Sequence, residues 1–206
     1  MWVLAYFLLH LAVYTILRLE FLVWNWSSLK NLSMFEMLLA FLNGIRFDFA
    51  ALSLTVGLCF LGLIWTFKKT QLQKTWFLFF IAINGIFYLI NIVDIELFNF
   101  QARRFSASTF YMIGEGRITD FIFPYLKLVS ISLSVLIGYI YFAYKISQKI
   151  SQRYYNSDFN SLKKLLFTIA ILVVSVIFGR GGLQHKPLTF VDAKIFNNTY
   201  ANNLVL

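Results

Sequence analysis

The chain reads as an all-α, polytopic membrane protein, on three observations. Five mostly apolar runs, residues 2–17, 50–67, 75–93, 125–144 and 162–179, each approach the length needed to cross a bilayer. A hydrocarbon core of about 30 Å takes about 20 helical residues. The positive charge between the runs is heavily lopsided. Across 206 residues, 60% are hydrophobic and only 13% charged, too little charge for the surface of a soluble protein of this size. Inside lipid only helices and closed barrels satisfy their backbone groups, and these runs lack the apolar/polar alternation of barrel strands.

The first run carries no Lys or Arg before it and no small-residue cleavage site after it, only Arg18-Leu19-Glu20-Phe21. It is therefore expected to stay as a span rather than leave as a signal peptide. The second holds Ser53 and Gly57 four residues apart, a pair of small residues that lets helices approach closely. Its lone cysteine, Cys59, reads as a small side chain in an apolar run. The third contains Asn84 and Asn91, expected to hydrogen-bond within the bundle. The fifth is short, and Lys163 and Lys164 lengthen it by reaching toward the interface.

Charge sets the expected topology. Lys68, Lys69 and Lys74 give one short loop three positive charges. Lys145, Lys149, Arg153, Lys163 and Lys164 against Asp158 give a second loop four, so the two hold seven of the formal +9. Basic loops face the cytoplasm. Alternation then puts the N-terminus inside and the tail from Arg180 outside. One intervening outer loop balances Arg18, Lys30 and Arg46 against Glu20, Glu36 and Asp48. The other sets Arg103, Arg104 and Arg117 against Asp94, Glu96, Glu115 and Asp120. Positive charge arranged this way serves topology and anionic lipid, which excludes nucleic acid as the partner.

The outer loops carry the candidate functional residues. Residues 33–43 are apolar but too short to span, and Asn43-Gly44 reads as a bend, so a helix lying at the outer surface is expected there. Gly44-Ile45-Arg46-Phe47-Asp48-Phe49 then sets Arg46 and Asp48 at the mouth of the second span. Charges at that depth need a partner or the interface. Two readings stay open: a local Arg46/Asp48 pair anchoring the helix, or part of a site for lipid headgroups or a docked domain. Residues 94–123 form a connection too long for simple neighbours, with aromatics interleaved among Arg103, Arg104 and Arg117. Arginines grip phosphate while rings settle in the headgroup layer, so this loop is either an interfacial girdle or a surface presenting headgroups. After the fifth run, Gly181 and Gly182 end the helix and Pro187 enforces an extended exit through Arg180, His185 and Lys186. The tail ends on Leu204-Val205-Leu206, which reads as a chain interrupted rather than finished. His185 and Asp192 are too few to form a metal site, and none is expected.

These motifs, in this order, resemble the membrane region of the lipoteichoic acid synthase and sulfatase-like phosphoglycerol transferase family. The resemblance rests on Gly44-Ile45-Arg46-Phe47-Asp48 opening the second span, Asp94-Ile95-Glu96 closing the third and Arg103-Arg104-Phe105-Ser106 after it. It extends to Arg180-Gly181-Gly182-Leu183-Gln184 with Lys186-Pro187 and Asp192-Ala193 in the exit, and so covers essentially the whole chain. The family's enzymes sit in the bacterial plasma membrane with five spans before a large extracytoplasmic domain of the alkaline phosphatase superfamily. There a threonine nucleophile beside a divalent metal, such as Mn or Mg, takes a phosphoglycerol or related group from a membrane phospholipid. The resemblance implies that this chain is a membrane anchor that presents lipid to its own C-terminal catalytic domain. Arg46, Asp48, Asp94 and Arg104 would support from the interface, Arg180 to Pro187 would form the linker, and no catalytic residue or cofactor is expected within 1–206. The alternatives are a stand-alone non-catalytic membrane module and a small transporter. The latter is disfavoured because ionisable residues look scarce at mid-span and no internal repeat is visible.

Overall fold

Apolar runs this long form helices because nothing but the helix pairs their backbone groups away from water. In the computed structural model, which describes residues 2–65, 70–101, 126–155, 160–182, 189–196 and 199–205, they do so and run further than hydropathy alone marks. The helices are α1 (Trp2–Trp24), the one-turn α2 (Trp26–Leu29), α3 (Met34–Trp65), α4 (Thr70–Gln101), α5 (Leu126–Tyr155) and α6 (Ser161–Gly179). A 3-10 turn (Phe190–Ala193) and α7 (Thr199–Val205) come after them. Five of the helices, α1 and α3 to α6, are long and apolar enough to cross a membrane. The protein is an all-α, polytopic membrane protein.

Local chemistry sets the ends. Ser33 and Glu36 form a capping box at the start of α3: the Ser33 amide and hydroxyl both donate to Glu36 Oε2 at 2.8 Å, and the Glu36 amide donates back to Ser33 Oγ at 3.2 Å. Asn160 caps α6, its Oδ1 accepting from the Ser161 amide at 2.7 Å. Gly181 and Gly182 close that helix with φ of 81° and 116°, their amides returning to Phe178 and Ile177 carbonyls at 2.8 and 2.9 Å. This is the stop expected of the paired glycines.

The bundle is antiparallel, with two stacked cores. Around Tyr6, Phe60 and Phe77, whose rings meet at 5.8–5.9 Å, the first core joins α1, α3, α4 and α5. The second gathers Phe21, Leu29, Met37, Phe98, Leu128 and Leu204 at the opposite end, where Phe21 and Phe98 meet at 4.8 Å. Here α7 folds back against α3 and the 3-10 turn packs on α7, so this end is capped. Lys74, Lys145, Lys149, Lys163 and Lys164 all lie toward the other end, at the start of α4, the end of α5 and the start of α6.

Helix α6 gives a length scale. Its 19 residues rise about 28 Å, close to the thickness of a hydrocarbon core. It packs along α3 through small residues. A Cβ on Gly57 would lie 2.1 Å from Ser175 Oγ, and one on Gly179 would lie 3.2 Å from Ser53 Oγ. Ser53 and Gly57 are thus a close-approach face, as their spacing predicts, and its partner is the matching Ser175/Gly179 pair. Phe49 stacks on Phe178 at 5.4 Å above this seam. No α6 residue is buried, so the seam is its main hold on the bundle. Gly57→Leu is expected to wedge the two helices apart at a cost of about 1–3 kcal/mol, read as a lower unfolding temperature in detergent. An unchanged temperature would mean that α6 is held by something other than this contact.

Three expectations are corrected. Asn43-Gly44 is no bend: α3 runs unbroken for 32 residues, with Asn43 Nδ2 bonding back to the Leu39 carbonyl at 2.8 Å. Residues 34–45 therefore extend the span upward by about 18 Å instead of lying as a separate surface helix. Arg18 and Glu20 sit within α1, not in a loop after it. Asp94 lies inside α4, which continues to Gln101, so the long connection starts later than residue 94.

Candidate interfacial site at the capped end

The two charges at the mouth of the second span go opposite ways. Two positions on a helix differ by about 200° around the axis, so neighbours spaced by two do not face each other. Asp48 turns inward. Its two carboxylate oxygens accept from Arg18 Nη1 and Nη2 at 2.7 and 2.9 Å, a bidentate pair with side chains only 3% and 5% exposed. Arg46 turns outward, and its Nε donates to the Gly181 carbonyl at 2.8 Å. Of the two readings open for Arg46 and Asp48, the local pair gives way to these two longer-range contacts. Gly44 is what admits the inner one: a Cβ there would fall 2.4 Å from Arg18 Cζ. The residue read from sequence as a bend serves as a cradle.

Arg46 ties the span to the tail. Its bond to Gly181 holds the exit of α6 against α3, and its charge also reaches Asp192 in the 3-10 turn. There the Thr189 amide and hydroxyl donate to Asp192 Oδ2 at 2.6 and 2.8 Å. These bonds, with the Arg46 charge behind them, hold the Asp192 carboxyl below its ordinary range. Asp192 is therefore a capping residue. Further along, Asn202 exchanges two 2.8 Å hydrogen bonds with the Phe196 backbone, closing the turn into α7. Leu204 and Val205 are then fully buried in the second core.

Polar bonds brace the rest of this end. Ser132 donates to Glu20 at 2.6 Å, Trp24 Nε1 donates to Glu96, and Asn25 Nδ2 donates to the Ile95 carbonyl at 3.0 Å. Together they fasten α1 to α4 and α5. Asp94 is buried beside them, 5% exposed. Arg180 caps α6, and Gly181 and Gly182 come directly after it. Arg103, Arg104, Arg117, His185, Lys186 and Pro187 lie outside the described residues. So the structure brings Arg46, Gly181 and Asp192 together and sends Asp48 to a separate, inner pair. Among the described residues no group of three or more His, Cys, Asp or Glu is placed to hold a metal ion.

Sequence reasoning missed Arg18 and the residues in line with it. Tyr6, His10, Tyr14 and Arg18 recur every four positions and so share one face of α1, the face turned into the bundle. Tyr6, His10 and Arg18 are buried and Tyr14 packs on Tyr88 at 5.1 Å. That spacing was visible in the sequence. Ionisable groups are consequently not scarce inside the long helices, so their scarcity no longer counts against a transporter.

Among the described residues, fold and site define a class, a helical membrane protein with five helices long and apolar enough to span and a segment after the last of them that caps one end of the bundle. Comparison with protein-family models, curated proteins and solved structures gives no match for this chain.

Proposed function

We propose that this chain is the membrane anchor of a phosphoglycerol- or phosphoethanolamine-type transferase, or of a sulfatase-like hydrolase, acting at the outer face of a bacterial plasma membrane. The capped end faces outward and the lysine-rich end faces the cytoplasm, in keeping with the positive-inside rule. Membrane phospholipid is the partner within the bilayer, and the chain's own C-terminal catalytic domain is the partner beyond it. The divalent cation belongs to that domain. The observation that carries this reading is the anchoring of the tail: Arg46 holds Gly181, and α7 is seated in the second core. A segment fixed this way would hold a catalytic domain joined to it at a constant height above the lipid, where a labile headgroup is met at high effective concentration. Arg46, exposed beside the exit, is chemically suited to grip a phosphodiester as well.

The full native chain, purified in nanodiscs, tests this with radiolabelled phosphatidylglycerol and a soluble chromogenic phosphodiester. Arg46→Ala is expected to lower turnover of the lipid about 10-fold, the value of one charge-assisted hydrogen bond, and to leave the soluble substrate nearly unchanged. Equal losses on both would reduce Arg46 to a purely structural role. No turnover of either substrate by the wild type would favour a stand-alone, non-catalytic membrane module. A second reading, a small transporter, draws on the buried stripe from Tyr6 to Arg18, since ionisable residues inside a membrane commonly line transport paths. Solute or proton flux in proteoliposomes, lost in Arg18→Met, would support it instead.

A further inference from the structure

The stripe on α1 meets polar groups from α4 and α5 deep in the first core, and their hydrogen bonds do not balance. The His10 ring lies 4.5 Å from Tyr6, 5.3 Å from Tyr139 and 6.4 Å from Tyr88, while Tyr88 meets Tyr139 at 4.7 Å. All four side chains are at most 1% exposed. His10 Nδ1 lies 2.7 Å from the Tyr6 carbonyl, and a carbonyl only accepts. The proton therefore sits on Nδ1, and Nε2 presents a lone pair. Facing that lone pair is the Tyr139 hydroxyl at 3.4 Å, which is also 3.3 Å from the Ile81 carbonyl. One hydroxyl proton cannot serve both, and both distances are long. Meanwhile, among the described residues, the Tyr6 and Tyr88 hydroxyls have no hydrogen-bond partner, nor does Oδ1 of Asn84, one helical turn from Tyr88 on α4.

Two unserved donors, one unserved acceptor and one half-served acceptor thus meet in one buried region. Each would be costly if left dry. The imbalance has the right chemistry for small molecules that donate and accept at once, with two to four polar partners apiece. We propose that Tyr6, His10, Asn84, Tyr88 and Tyr139 form a buried water-binding site in the membrane-embedded half of the bundle. Water there accepts from Tyr6 and Tyr88, donates to His10 Nε2 and Asn84 Oδ1, and releases the Tyr139 proton to the Ile81 carbonyl. The site is independent of the transferase reading.

Radiolytic hydroxyl footprinting of the wild-type protein in nanodiscs tests it, because radicals form where water is held. Tyr6 and Tyr88 are expected to be modified in the folded protein, while the equally buried Phe21 and Phe98 of the second core stay unmodified. Tyr88→Phe and Tyr6→Phe supply a second test in the sign of their effect. If water satisfies the hydroxyl, its removal lowers the unfolding temperature by about 2–4 °C. If the region is dry, removing an unpaired hydroxyl raises it or leaves it unchanged. Unmodified Tyr6 and Tyr88, or a raised or unchanged unfolding temperature in both variants, would overturn the proposal.

Discussion

Asp48→Ala is expected to destabilise the protein by about 3–5 kcal/mol, the cost of stranding a buried charge. Arg18 keeps its guanidinium among α1 and α3 with 3% of its side chain exposed, and Asp48 supplies two short bonds to it. Among the described residues its Nε has no partner, so the carboxylate is the main compensation for its burial. Arg18→Ala removes the two short bonds to the Asp48 carboxylate and carries a penalty of the same sign. The double variant Arg18→Met/Asp48→Leu is expected to lose less than either single change, because apolar side chains of similar volume need no compensation. Thermal unfolding of the wild type, Arg18→Met, Asp48→Leu and the double variant in one detergent closes the cycle. Additive losses would show that the two residues act separately. Gly44→Ala belongs to the same test, since its new methyl would collide with the guanidinium and should reproduce much of the single-variant loss.

Leu204→Ala should cost about 2–5 kcal/mol, the range for truncating a fully buried leucine, with the damage confined to the cap. Leu204 is buried with Val205 among Phe21, Leu29, Met37 and Phe98, all in the second core. The first core is joined to this one through the long helices but holds its own contacts around Tyr6, Phe60 and Phe77. Hydrogen exchange should therefore speed up in the 3-10 turn and α7 and stay slow along the α3/α6 seam. Uniform acceleration through both regions would mean that the two cores unfold as one unit.

How much of this was legible in the sequence depends on what each residue touches. Helix α6 buries none of its residues in the bundle and is apolar nearly throughout, so hydropathy marks it at 162–179 against an observed Ser161–Gly179. The Ser53/Gly57 face and the paired-glycine stop were equally plain, because each is a short-range pattern with one mechanism. The other helices overrun their apolar runs where charged and polar residues find partners on neighbouring helices. Arg18 and Glu20 place two charges at the end of the first apolar run, yet α1 continues through them to Trp24, because Asp48 neutralises Arg18, Ser132 bonds Glu20 and Glu96 bonds Trp24. No window of hydropathy registers a partner thirty or a hundred residues away. Gly44 misled for the same reason. Beside an asparagine it reads as a turn, and only the guanidinium from α1 explains why a glycine belongs inside a helix. Of the candidate site, Arg46 and Gly181 were singled out from sequence, but their bond to each other was not foreseeable, since it joins the second span to the end of the fifth.

The functional reading depends on five crossings that set the capped end outside and the lysine-rich end in the cytoplasm. Impermeant maleimide labelling of intact cells measures this most directly, in a Cys59→Ser background that removes the single, buried native thiol. Val191→Cys, on the exposed face of the 3-10 turn, is expected to label in intact cells, and Lys74→Cys, at the start of α4, only after lysis. Labelling of Lys74→Cys in intact cells with Val191→Cys protected until lysis would contradict the account.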